Sequence, residues 1–174
     1  MQIHTIKTHK IRGQGALVRI LDRYVKKIPE GSVLAITSKI VSICEGSVVP
    51  VQGTNKQKLI EQESEYFIKP TKNSYGIALS IKNGILTPMA GIDESNANGF
   101  YILWPRDAQK TANEVREHFT KKFGLRHFGV IITDSKTTPL RWGTTGFSLA
   151  HSGFAALNNY IGKSDIFGRK LKVT

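Results

Sequence analysis

Two short polar stretches in this sequence carry residue types that could bind a metal ion. The stretch AGIDESN, residues 90–96, places the acid Asp93 and the amide Asn96 shortly after a glycine that lets the backbone turn. A second acid, Asp134, ends the apolar run FGVIITDS, where a strand is expected to pass into a loop. Carboxylates on two separate loops favour a site for a hard divalent cation. A single aspartate at such a position is more often a turn cap, so the residue types alone leave both interpretations open.

Three further residues could bind anions. The strand predicted over residues 32–38 ends in Ser38 and is followed by Lys39. A hydroxyl and an ammonium suit phosphate oxygens, although the same residues are also typical of a helix cap with a solvated lysine. Arg141 lies in a polar, glycine-containing loop and is a further possible anion contact, while the ordinary interpretation of that loop is turn chemistry.

The elements that must position these residues are predicted from hydrophobic periodicity and turn signals. Helical spacing predicts helices, and short apolar runs between turn residues predict strands. Because the two types are mixed without a regular βαβ alternation, we expect an α+β fold with mixed and antiparallel sheets and packed helices. The predicted helices cover residues 17–28, 55–65 and 108–123, and the predicted strands cover 2–6, 32–38, 47–51, 67–70, a hairpin over 77–86 that turns at Asn83–Gly84, 99–104 and 128–133.

The composition is that of a folded protein with a basic surface. The chain has 174 residues, of which 40% are hydrophobic, enough for one domain or for two small ones sharing a core. Its formal net charge of +12 favours anionic partners, from phosphorylated small molecules to nucleic acid. The lysines are scattered, however, and no nucleic-acid-binding signature is present, so nucleic-acid binding is the less favoured alternative.

The remaining sequence features bear on the cellular compartment of the protein and on whether His151 could bind a metal ion. The single cysteine, Cys44, allows no intramolecular disulfide and lies among apolar residues, which predicts a buried thiol. No signal-peptide region or membrane-spanning apolar segment is found, and we expect a soluble, cytoplasmic protein without a membrane partner. His151 has no other His or Cys at metal-ligand spacing and is interpreted as a packed histidine.

An ordered series of segments resembles one known family. TSKIVSICEGSVV, IEQES, AGIDESN, VIITDS, PLRWGTTG and SDIFGRKLKVT occur in the order and at about the spacing of the coenzyme F-420:γ-glutamyl ligase family, over nearly the whole chain. The resemblance implies the α+β fold particular to that family and a homodimer with its site in a groove. It also implies a single domain over residues 1–174, divisible into intertwined subdomains 1–66 and 67–174.

The activity implied by the resemblance is amide formation. Family members join glutamate through a γ-linked amide to a phospholactyl deazaflavin, and related members act on folate-type acceptors. They use GTP as co-substrate and divalent magnesium or manganese, consistent with activation of the acceptor carboxylate as an acyl phosphate. Two alternatives stay open: a non-catalytic homologue that binds metal or a phosphorylated ligand, and a basic nucleic-acid-binding protein.

The resemblance also implies roles for individual residues. Asp93 and Asp134 match metal ligands, and Ser135, where the family usually has threonine, matches a second-metal or water-mediated contact. The positions that match nucleotide contacts are Ser38, Lys39, Asn96 and, in an amino-terminal turn that differs in sequence, Lys10.

The sequence departs from the family pattern at several places. Ile43 stands where a second lysine is expected, residues 136–139 replace a Phe-Gly-Arg-Pro run, and residues 13–16 replace a Glu-Gly-Asp-Asp turn. Family members are expected to continue past the position of Thr174 into a helix and a glycine-containing segment that helps hold the nucleotide. This leaves two expectations: a shortened form of a longer protein, or a divergent member that lacks this segment and whose ligase activity is altered or lost.

Overall fold

The computed structural model describes residues 2–70 and 76–173 and shows helices alternating with short strands. The helices are α1 (Leu17–Tyr24), α2 (Ser38–Glu45), α3 (Lys56–Gln62) and α4 (Ala108–Phe123), with one 3-10 turn at Met89–Gly91. The strands are β1 (Val33–Thr37), β2 (Val48–Pro50), β3 (Tyr66–Ile68), β4 (Leu79–Lys82), β5 (Ile85–Pro88), β6 (Phe100–Ile102), β7 (Gly129–Lys136) and β8 (Thr145–Ser152).

The strands form three small sheets. In the first, β1 pairs parallel with β7, and β7 pairs antiparallel with β8, which makes the sheet mixed. The second joins β2 and β6, and the third joins β3, β4 and β5, all antiparallel. The predicted α+β class, with mixed and antiparallel sheets, is confirmed.

The larger core lies between the mixed sheet and the long helix α4. The apolar face of α4 is buried through Ala112, Val115 and Phe119, which pack against Val130 and Ile132 of β7. These side chains recur at helical spacing on α4, so burial of one stripe fixes the helix on the sheet. The helix begins after Asp107, whose side chain accepts a hydrogen bond from the Lys110 amide at 2.8 Å, and it ends at the left-handed Gly124.

A second, smaller core lies beneath the antiparallel strands. It combines Leu59 and Ile60 of α3 with Ala90, Ile92 and Tyr101. Like the larger core, it draws residues from both sides of position 66, so the described chain packs across the proposed boundary between subdomains 1–66 and 67–174. That division stays a prediction.

Several predicted elements match the structure and three do not. The helix over 108–123 and the hairpin turn at Asn83–Gly84 are confirmed. The predicted strand over 2–6 is wrong, since these residues are exposed and pair with no strand. Helix α1 ends at Tyr24 instead of residue 28 because Val25 is already extended, with ψ 97°. Strand β7 continues to Lys136 because β8 pairs with it that far, so Asp134 lies inside a strand and not at its mouth.

One finding bears on membranes. Within residues 2–70 and 76–173, no helix combines the length and the apolar character needed to cross a bilayer.

Candidate functional site

The first carboxylate of the site follows a tight turn of left-handed residues. Met89, Ala90 and Gly91 have φ values of 55°, 54° and 69°, a conformation that costs energy for residues with a Cβ. The buried Ser80 hydroxyl fixes the turn, because it accepts the Ala90 amide at 2.7 Å and donates to the Thr87 carbonyl at 2.6 Å. The turn thereby delivers the chain to Asp93 in a fixed direction.

Asp93 is held by backbone and side-chain contacts. Its amide and carbonyl pair with the carbonyl and amide of Ile102, at 3.0 and 2.7 Å. Its carboxylate accepts the Ser95 amide at 2.7 Å and forms an ion pair with Lys39, with 2.6 Å between Nζ and Oδ2. Lys39 also donates to the Ser95 carbonyl at 2.7 Å and to its hydroxyl oxygen at 3.1 Å. The start of α2 and the turn after Asp93 therefore meet through Lys39.

The second carboxylate, Asp134, projects from β7 towards the same place. Its Oδ2 accepts the indole N–H of Trp104 at 2.6 Å, and its Oδ1 accepts the Ser135 amide at 2.8 Å. The hydroxyl of Ser38, a buried residue at the start of α2, also hydrogen-bonds this carboxylate. Asp93 lies close enough for its charge to act on Asp134.

The environments of the two carboxylates push their pKa values apart. Burial raises the pKa of Asp134 above its usual value, and the negative charge of Asp93 raises it further. Hydrogen bonds from Ser135, Trp104 and Ser38 lower the pKa of Asp134 but do not outweigh these effects. Burial also acts on Asp93, but the bonds from Lys39 and Ser95 outweigh it and lower the pKa of that carboxyl. A close pair of carboxyls with opposite shifts is typical of functional sites, although structural ion pairs produce such shifts too.

The structure brings the side chains of four sequence-predicted residues together and leaves the side chains of four others out of these contacts. Those that meet are Ser38, Lys39, Asp93 and Asp134. Ser135 is exposed and contributes its amide to Asp134; successive side chains of a strand point to opposite faces, so its hydroxyl is directed away from that carboxylate. The other three, Lys10, Asn96 and Arg141, are exposed on loops. Their predicted roles as nucleotide or anion contacts stay predictions.

Two residues of the site were not predicted from the sequence. Ser95 accepts from Lys39 through its carbonyl and hydroxyl, and Trp104 donates to Asp134. Ser95 lies within AGIDESN and could have been found as the neighbour of Asp93. No sequence signal marks Trp104, because it resembles any aromatic residue at the end of an apolar run.

The donor set fits a hard divalent cation. Within the described ranges, no three His, Cys, Asp or Glu side chains group as a metal-binding cluster, so the protein ligands would be the carboxylates of Asp93 and Asp134. Magnesium is commonly bound by one or two carboxylates that are completed by water and substrate phosphates, and manganese accepts the same oxygen ligands. The three N–H donors of Lys39 are directed at Asp93 and at the carbonyl and hydroxyl of Ser95, so in this arrangement the ammonium orients Asp93 and adds a positive charge beside the site.

The chain is thus an α+β protein with a polar site built on two neighbouring carboxylates. It belongs to the F420-0:gamma-glutamyl ligase family, whose family model matches residues 5–174. The resemblance of the ordered sequence segments to this family is confirmed.

Curated relatives are similar over most of this chain. The coenzyme F420:L-glutamate ligase of Methanopyrus kandleri is 31% identical over 166 residues, which cover 85% of this chain and 65% of the relative. The protein of the same name from Methanocaldococcus jannaschii is 30% identical over 164 residues, 84% of this chain and 65% of the relative. That from Archaeoglobus fulgidus is 29% identical over 163 residues, with 85% and 65% covered. The matched region thus spans 65% of the length of these relatives.

Proposed function

We propose that this chain forms the carboxylate site of a γ-glutamyl ligase, which joins glutamate by an amide bond to a carboxylate acceptor of the F420 deazaflavin or folate type. The proposal is supported by membership of the family and by the names of the curated relatives, which describe glutamate ligation to coenzyme F420. The observation that carries it is the meeting of Asp93, Asp134 and Lys39 from three separate segments.

The reaction explains why these residue types are needed together. An acceptor carboxylate is unreactive towards an amine until it is activated. Transfer of the γ-phosphoryl group of GTP to the carboxylate would give an acyl phosphate and release GDP, and attack by the glutamate amine would then form the amide, with release of phosphate and a proton. Asp93 and Asp134 would hold magnesium or manganese, which when bound offsets the charge of the phosphate oxygens. Lys39 would add a positive charge that attracts the phosphates while it holds Asp93, and Ser38 keeps Asp134 oriented from the start of α2.

The proposal is tested by binding of Mg²⁺ and GTP to the protein and to D93N and D134N. Each change removes one carboxylate charge but keeps the side-chain shape, so we expect nucleotide binding in the presence of Mg²⁺ to weaken at least tenfold by titration calorimetry. Ligation of glutamate to the deazaflavin acceptor, followed by mass, should fall with it.

Glu94 offers a matched control. It is the next carboxylate after Asp93, but it pairs with Lys56, with 2.8 Å between Nζ and Oε2. E94Q should bind Mg²⁺ and GTP like the parent protein. If D93N, D134N and the parent bind them equally, the assignment of this site is wrong. Binding without ligation would instead favour the non-catalytic homologue.

We also propose that a second copy of the chain is a partner. Residues 153–173 follow β8 and are exposed almost throughout, although they include many large apolar side chains. Apolar side chains concentrated on an exposed segment are typical of a surface that another chain covers. The exposed set in this segment is Phe154, Leu157, Tyr160, Ile161, Ile166, Phe167, Leu171 and Val173.

A further inference from the structure

Trp104 connects the two segments that carry the carboxylates. It lies just after β6 and is only 4% exposed. On one side its indole N–H donates to Oδ2 of Asp134 at 2.6 Å. On the other side its ring lies against Gly91, where an added Cβ would stand 2.2 Å from Cε2 of the indole. Gly91 belongs to the left-handed turn that leads into Asp93.

The hydrogen bond to Asp134 constrains how that carboxylate can be used. An indole N–H can only donate, so it requires an acceptor oxygen at Oδ2, while the Ser135 amide requires one at Oδ1. Each carboxylate oxygen has two lone pairs, and these two donors together with the Ser38 hydroxyl occupy three of the four, which leaves one lone pair for a further ligand. The carboxylate is therefore held in one orientation without being fully satisfied.

The packing of the ring constrains the other carboxylate. Gly91 has a φ of 69°, and the indole fills the space that any side chain there would need. The ring is supported from β8 by Phe147, with 5.9 Å between the ring centroids. Because Asp93 follows Gly91 by two residues, movement of the indole would move both carboxylates relative to each other.

We infer that Trp104 is a positioning residue, which sets the separation and orientation of Asp93 and Asp134 so that both can bind one divalent cation. This rests on the proposed function, since it assumes that the pair binds a cation. Residues that orient metal ligands typically change metal affinity by about 10- to 100-fold when they are replaced.

The test compares Mn²⁺ affinities by titration calorimetry. W104F keeps an aromatic ring but removes the N–H, and we expect Mn²⁺ to bind about 10- to 100-fold more weakly. W142F is the matched control, because it makes the same replacement at an indole that is 93% exposed on a loop, and it should bind Mn²⁺ within about twofold of the parent protein. Equal affinities of W104F and the parent would overturn the role of Trp104 alone. A parent protein that binds no Mn²⁺ would overturn both this role and the proposed site.

A second measurement leaves Trp104 in place, so it does not depend on the folding of W104F. The sequence has only two tryptophans, and Trp142 is 93% exposed on a loop, so W142F leaves Trp104 as the sole indole. Mn²⁺ should then change the Trp104 emission saturably, with the midpoint seen by calorimetry, and D134N in the same background should abolish the change. Calorimetric binding with no change in Trp104 emission would overturn the inference.

Discussion

At the scale of single residues, the site depends on a serine that contacts neither of the two carboxylates. Ser80 is 2% exposed, and its hydroxyl bridges Thr87 and Ala90 across the turn that precedes Asp93. Ala90 is fully buried and left-handed, so its amide has no access to water as a replacement partner. The turn that leads into Asp93 therefore relies on one buried hydroxyl.

Replacement of Ser80 by alanine should destabilise the protein by about 1–3 kcal/mol, because it leaves the buried Ala90 amide without an acceptor. The measurement is urea unfolding followed by circular dichroism. S64A is a suitable comparison, since the Ser64 hydroxyl only donates to the Ile60 carbonyl and is half-buried, and it should cost less. Equal stability of S80A and the parent protein would contradict this account of the turn.

The sequence predicted the acids of the site but not their partners. Asp93 stands out because it follows a glycine turn and Asp134 because it ends an apolar run, and the family series distinguishes them from ordinary turn caps. The contact of Lys39 with Ser95 spans 56 residues, and that of Trp104 with Asp134 spans 30. Such pairs depend on how strands and turns meet in space, which local periodicity does not encode.

At the scale of elements, one turn residue couples β1 to β7. Glu30 precedes β1, and its carboxylate accepts the backbone amides of Arg126 and His127 in the loop before β7. The backbone strengthens this link, because the Gly31 amide donates to the His127 carbonyl at 2.7 Å. The Glu30 carboxylate thus accepts hydrogen bonds from two backbone amides that lie before the first paired residues of β1 and β7.

This arrangement predicts a pH-dependent contribution to stability. The amides of His127 and Arg126 hold the pKa of Glu30 below its usual 4.5. A carboxyl with a lowered folded-state pKa contributes stability that is fully present above the unfolded-state value and is lost as the pH falls through the folded-state value. We therefore expect E30Q to have a lower urea midpoint than the parent protein at pH 7, and the difference to shrink as the pH is lowered below 4.5. A difference that does not change with pH would contradict this.

At the scale of the whole molecule, local elements were easier to predict than their assembly. Helix α4 could be predicted from Ala108 to Phe123 because its local signals indicate the same helix: an apolar stripe at helical spacing, Asp107 as the residue before its start and Gly124 as the residue after its end. The parallel pairing of β1 with β7 joins Val33 to Gly129 and had no signal in the sequence. Assembly into three sheets over two cores likewise follows from long-range packing, which single-sequence patterns do not specify.

The proposed association of two copies is the last prediction and concerns residues 153–173. This segment has its own turn, in which Gly162 and Lys163 exchange backbone hydrogen bonds with Leu171, yet Ile166 and Phe167 remain 91% and 87% exposed. Burial of apolar surface stabilises association by about 25 cal/mol per Å², before the cost of immobilising two chains. Acidic residues in place of this pair would remove that gain and add a desolvation cost.

We expect the parent protein to have the mass of a dimer by light scattering after size exclusion, and the double variant I166E/F167E to have the mass of a monomer at the same concentration. I68E is the matched control, because Ile68 is 62% exposed on β3, outside the segment, and its replacement should leave the dimer intact. The Asp165 carboxylate, which accepts the Phe167 and Arg169 amides at 2.9 Å, keeps the turn formed in the double variant. A monomeric parent protein, or a double variant that stays dimeric, would show that this segment does not join two copies.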